Sequence, residues 1–185
     1  HPNMATMLGY ITTDVKISKE LLQILISKTT DRTFNMISVD RDTSTNDSLF
    51  AIATGAAENK EITDINSLEC KDFADALYYV LEYLAKAIAK DGEGATKLIE
   101  VEVVNALDFK EAKAVGISVI TSPLVKTAIF GEDANWGRII AATGYSGAEV
   151  EEEKIDIYVG DAKVCENGGG IMEDETLVNQ ELKKK

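Results

Sequence analysis

Apolar positions along this chain recur at two spacings, and the switches between them mark short strands and amphipathic helices. Met7 to Thr13 is apolar and partly β-branched, the pattern of a buried strand. From Ser18 onward, Leu21, Leu22, Leu25 and Ile26 fall at helical spacing, with Ser18 placed to cap the helix. Phe34 to Asp40 and Ser48 to Thr54 alternate apolar with small polar residues and predict two strands. The polar loop Asp40 to Asp47 between them predicts a hairpin whose tip carries hydroxyls and carboxylates.

The longest helical signal runs from Ser67 to Lys90, where Phe73, Leu77, Val80, Leu81, Leu84 and Ile88 recur at steps of three and four. It stops at Asp91-Gly92-Glu93-Gly94, where glycines end a helix and permit unusual backbone angles. Lys97 to Leu107 alternates and predicts a strand. Asp108 caps a helix running to Val115; Ser122 to Phe130 behind Pro123 and Asn135 to Thr143 predict two more. Ile155 to Val159 and Lys163 to Cys165 predict a hairpin across Gly160-Asp161, and Glu173 to Leu182 a polar closing helix. Strands and helices are mixed without strict alternation, and the hairpins imply antiparallel pairing, which points to an α+β layered sandwich.

Composition narrows the chemistry. The 185 residues are one domain's worth, and 45% hydrophobic with 28% charged residues is ordinary for a soluble globular protein. No apolar run approaches the roughly 18 residues that span a bilayer, and no leader is visible, so a cytoplasmic protein without a membrane is the expectation. The net charge of −13 argues against a nucleic-acid partner. Cys70 and Cys165 are far apart and read as reduced thiols. The one histidine is His1, at the terminus. No Ser-His-Asp or Cys-His site can be built unless that residue supplies the imidazole, and no histidine-based metal site is expected.

Acyl chemistry without histidine has one attractive route here. If the Ala5–Thr6 peptide bond is broken, Thr6 acquires a free α-amine beside its own hydroxyl. An unperturbed α-amine titrates at about 7.7–8.0, so it can accept the hydroxyl proton itself. The residues alone favour a structural threonine at a strand start.

Pro2-Asn3-Met4-Ala5-Thr6-Met7-Leu8, followed by Ile11-Thr12-Thr13-Asp14, resembles the cleavage-site signature of the ornithine acetyltransferases, the bifunctional glutamate N-acetyltransferases of arginine biosynthesis. Three further stretches match that family in the same order. They are Phe34-Asn35-Met36 with Asp42 to Asp47, Asp91 to Lys97, and Ser122 to Lys126 with Asp133 to Arg138. The resemblance implies an α/β/β/α-type sandwich with mixed or antiparallel sheets, as in self-processing acyltransferases of the N-terminal-nucleophile kind. It implies that 1–185 is a single, partial β-chain domain cleaved between Ala5 and Thr6. The upstream α chain and the C-terminal end would then be absent, and α and β chains would form a hetero-oligomer, a heterotetramer in the family.

The activity implied is transfer of acetyl from N2-acetylornithine to glutamate through an acetyl-Thr6 ester. No cofactor is implied, and acetyl-CoA enters only as a substrate that some family members accept. The family places substrate binding on Thr6 and on the residue matching Glu93, whose carboxylate between glycines can approach an ammonium group closely. Thr43, Ser44 and Asn46 of the polar loop, and Asn135, are candidate pocket-lining residues; the loop side chains have an equally simple role in bonding their own backbone. Arg41 stands where this family is expected to carry glycine. Trp136 and Arg138 more readily pack and pair than catalyse. Oxyanion donors and a substrate-binding lysine would come from the upstream chain. Two other readings stay open: a self-processing aminopeptidase or amidohydrolase delivering the acyl group to water, and a non-catalytic partner half of a split enzyme.

Overall fold

The computed structural model describes residues 7–171 and 175–183. It falls into two compact units, His1–Gly92 and Glu93–Lys185.

In the first unit, strand β1 (Leu8–Thr13) leads to helix α1 (Lys19–Asp31), as the periodicity predicts. Ser18 caps α1, its hydroxyl accepting from the Leu21 amide. Leu21, Leu25, Ile26, Thr29 and Thr30 form the buried stripe, and the Thr30 hydroxyl donates back to the Ile26 carbonyl at 2.7 Å.

The chain then departs from expectation. Phe34–Met36 is a single 3-10 turn rather than a strand, with Phe34 only 1% exposed in the core. Two local features explain it. The Met36 amide bonds the Thr33 carbonyl, continuing the tight winding after α1. Arg41 then takes a φ of +75°, which ends any extended run. The predicted hairpin therefore does not form. Strand β2 (Ser48–Ala53) pairs instead with β1, in parallel, in the register Leu8↔Ser48 to Thr13↔Ala53. A parallel pair needs a long crossover, which α1 and the loop after it supply.

Helix α2 (Leu68–Lys90) is capped by Ser67 and buries Cys70, Leu77, Leu81 and Ala85. These residues share a core with Met7, Leu21, Leu25, Ile26, Phe34 and Ile62. Ile11, Leu49 and Ala51 pack against that core from one face of the parallel pair. The other face carries Leu8, Tyr10, Phe50 and Ile52, all at least half exposed, with Tyr10 and Phe50 stacked at 5.5 Å.

In the second unit, residues 97–107 form no strand. A strand exists only by pairing, and no described strand of this unit pairs with the segment; its apolar Val104 and Leu107 are 68% and 85% exposed. Helices α3 (Phe109–Thr121), α4 (Pro123–Phe130) and α5 (Trp136–Gly144) follow, capped by Asp108, Ser122 and Asn135. They share a core of Val119, Val125 and Ala142. The hairpin across Gly160-Asp161 forms as β3 (Ile157–Val159) and β4 (Ala162–Glu166), extended by β5 (Gly169–Gly170), all antiparallel. Helix α6 (Glu175–Leu182) covers this sheet with Val178 and Leu182. Helices and both kinds of strand pairing make the class α+β. No single helix among the described residues is long and apolar enough to cross a membrane.

Candidate active site

Thr6, Ala5 and His1 lie outside the described residues, and the first described position is Met7, whose side chain is 4% exposed. Its backbone is held on both sides. The Met7 amide donates to Asp47 Oδ1 at 2.7 Å, and the Met7 carbonyl accepts from the Ser48 amide at 2.8 Å. In a regular parallel ladder a backbone carbonyl would take that amide; here a carboxylate stands in.

The loop that carries Asp47 is braced mostly by itself. The Ser44 amide donates to Asp47 Oδ2 at 3.2 Å, the Asn46 amide to the Ser44 hydroxyl at 3.2 Å, and the Asp42 amide to Asp40 Oδ1 at 2.9 Å. Thr43 and Asn46 are exposed, Ser44 partly buried. The side chains of Ser44 and Asp47 thus bond loop backbone, the pattern of short polar residues in tight turns. Sequence reasoning missed Asp47 as a distinct residue. Its signal was an acid at the junction of loop and strand, and it becomes meaningful only once β2 is known to lie against β1.

Glu93 opens the second unit, exposed, just beyond the α2 cap at Asp91. Gly94 beside it has φ +71°, a left-handed conformation that glycine adopts freely. No hydrogen bond or ion pair holds the Glu93 carboxylate among the described residues, so it is available to a ligand. Four positions on, Lys97 donates to the Leu182 carbonyl at 2.5 Å and pairs with Glu132 at 3.4 Å.

Asn135, Trp136 and Arg138 have structural engagements. Asn135 Oδ1 accepts from the Arg138 amide and its Nδ2 donates to Asp133. Arg138 donates to the Leu124 carbonyl at 2.9 Å and the Thr127 hydroxyl at 3.2 Å. The Trp136 ring lies so close to Gly170 that a Cβ there would sit 2.4 Å from the indole.

The thiols of Cys70 and Cys165 are both pushed up by burial, which makes them poor nucleophiles. Among the described residues no three His, Cys, Asp or Glu side chains gather as metal ligands.

The ArgJ family model matches residues 1–185, the whole chain. The chain belongs to the ArgJ family. It is 53% identical to the arginine biosynthesis bifunctional protein ArgJ of Caldanaerobacter subterraneus subsp. tengcongensis, over 100% of this chain and 47% of that protein. With the protein of the same description from Streptococcus mutans the identity is 55%, over 89% of this chain and 41% of the relative. The chain thus spans about half the length of the curated relatives it matches. The crystal structure of the Bacillus halodurans ArgJ protein is 47% identical and superposes with a TM-score of 0.94, covering 97% of this chain and 84% of that one. In an ArgJ chain, the left-handed φ of Arg41 explains why glycine is expected there.

Proposed function

We propose that this chain is the nucleophile-bearing portion of an acetyltransferase that moves acetyl from N2-acetylornithine to glutamate. The observation that carries the reading is family membership over the whole chain, whose sequence includes the Pro2 to Leu8 motif. The ArgJ relatives are described as bifunctional proteins of arginine biosynthesis, which fits an enzyme that both deacetylates one amino acid and acetylates another, and admits acetyl-CoA as a second donor.

The chemistry follows from the hydroxyl and the amine of one residue. In the precursor, the Thr6 Oγ attacks the Ala5 carbonyl, the peptide nitrogen leaves as the Thr6 amine, and water hydrolyses the ester. In the processed enzyme that amine accepts the Oγ proton as Oγ attacks the acetyl carbonyl. The proton passes to the departing ornithine amine, leaving acetyl-Thr6. Glutamate's amine then attacks the ester, and Thr6 Oγ recovers its proton. Glu93, charged and unengaged, would meet a substrate ammonium.

The partner in this reading is the upstream part of the same precursor, as an α chain in a hetero-oligomer, and the setting is the cytoplasm. The apolar outer face of β1 and β2 supports it, since a solvated sheet face would be polar. Assay of the full-length protein on acetylornithine with and without glutamate tests the function: transfer requires glutamate, whereas release of free acetate at an undiminished rate without it would indicate a hydrolase.

A further inference from the structure

We propose that Asp47 is the positioning residue for the Thr6 nucleophile, an inference that rests on the reading of Thr6 just given. The amide that Asp47 Oδ1 accepts at 2.7 Å is the nitrogen of the Thr6–Met7 peptide bond itself. A peptide group is planar and stiff, so fixing that N–H constrains the residue bonded to it. The next peptide group is fixed by the same segment, through the Ser48 amide on the Met7 carbonyl at 2.8 Å, and the Met7 side chain is buried in the core. Two consecutive residues of the loop-to-strand junction thus hold the backbone immediately after the nucleophile.

The carboxylate is itself held. Its second oxygen accepts from the Ser44 amide at 3.2 Å, and the Asp47 amide donates to the Ser44 carbonyl at 3.3 Å. An ionised acceptor forms shorter and stronger bonds than a carbonyl, and a side chain can reach past the end of a ladder whose first pair is Leu8↔Ser48. The polar loop thus reaches the backbone beside the nucleophile through Asp47. A nucleophile must be held in near-attack geometry for both cleavage and transfer, so Asp47 serves both steps through the backbone it holds.

The test uses the full-length precursor with Asp47→Ala, Asp47→Asn and Thr6→Ala, measuring the self-cleavage rate, and kcat and KM for acetylornithine. Asp47→Ala should slow cleavage and lower kcat by roughly ten- to a hundredfold with KM unchanged, the scale of one charge-assisted bond. Asp47→Asn, which keeps an oxygen for the Met7 amide, should recover part of both. If Asp47→Ala yields no folded protein, Asp47→Asn carries the test alone, with slowed cleavage and unchanged KM expected. Wild-type rates in the folded alanine variant overturn the proposal, as do kcat and KM that shift together with no rescue by asparagine. For the asparagine variant tested alone, wild-type rates or a KM that shifts with kcat likewise overturn it. A Thr6→Ala precursor that still cleaves removes the nucleophile instead, a separate outcome.

Discussion

Lys97 donates a hydrogen bond to the backbone carbonyl of Leu182 at 2.5 Å, joining the segment just after Glu93 to the end of α6. Its side chain is only 15% exposed, and Glu132 lies 3.4 Å away on the other side. A cation at a helix C-terminus satisfies an orphan carbonyl and complements the helix dipole. The tether anchors the Glu93 loop to the core of the second unit, through Val178 and Leu182.

Replacing Lys97 by Met should lower the stability of the full-length protein by about 1.5–3 kcal/mol, the worth of a charge-assisted hydrogen bond. That corresponds to a fall of several degrees in Tm. Lys97→Arg should lose less. Thermal unfolding measures both, and a Tm unmoved by Lys97→Met would show the tether to be idle.

Glu93→Gln keeps shape and removes charge. Self-cleavage involves no substrate, so processing should survive while KM for acetylornithine rises about ten- to a hundredfold. Steady-state kinetics on the processed enzyme decide it. An unchanged KM would return Glu93 to the role of a turn residue.

Arg41→Gly should stabilise the protein. An L-residue in the left-handed region costs roughly 1–2 kcal/mol, and glycine gives back about 0.5–1 kcal/mol through its freer unfolded chain. The net gain is about 0.5–1 kcal/mol, since Arg41 is exposed and its φ is +75°. Denaturant melts of the two proteins compare them directly; a less stable glycine variant would mean the arginine side chain contributes more than its strain costs.

The sheet of the second unit carries its own pH dependence. The Asn167 amide, then Lys163, hold the Asp156 carboxyl below the usual range, while Glu166 and Asp156 hold Lys163 above its ordinary value. The depressed Asp156 contributes stability above the ordinary carboxylate range, lost as pH falls through its folded pKa. The raised Lys163 contributes below the ordinary ammonium value, lost as pH rises through its folded pKa. Both contributions are intact between about pH 4 and pH 10. Lys163→Met should therefore lower Tm across that window and shrink the further loss on acidification below it. A Tm–pH curve parallel to wild type at the acid end would show that Lys163 and Asp156 are not coupled.

What was legible in the sequence was local. Ser18 and Asp108 announce their helices because a cap is decided within three residues, and the stripe of α2 is set by its own periodicity. The hairpin across Gly160-Asp161 was legible because its own turn closes it, whereas the long-range pairing of β1 with β2 was not. Phe34 to Asp40 alternates like a strand, yet the partner of β2 is β1, far upstream in sequence, and the alternating segment opens with a 3-10 turn. Residues 97–107 fail similarly, carrying a strand pattern without a paired strand in their unit. Asp47 was invisible for the same reason, since a hairpin would have placed it far from Met7. Thr6 and Glu93 were singled out by motif resemblance, since an α-amine beside a hydroxyl and a glycine-flanked carboxylate are by themselves common.

The intact masses of the full-length protein and its Thr6→Ala variant, purified side by side, test the central claim most directly. The wild type should resolve into two chains, the second beginning at Thr6, and incubation with acetylornithine in the absence of glutamate should add one acetyl group to that second chain. The alanine variant should remain one uncleaved polypeptide that takes up no acetyl. An alanine variant still cut at the bond after Ala5, or one acetylated like the wild type, would contradict a single hydroxyl serving both steps.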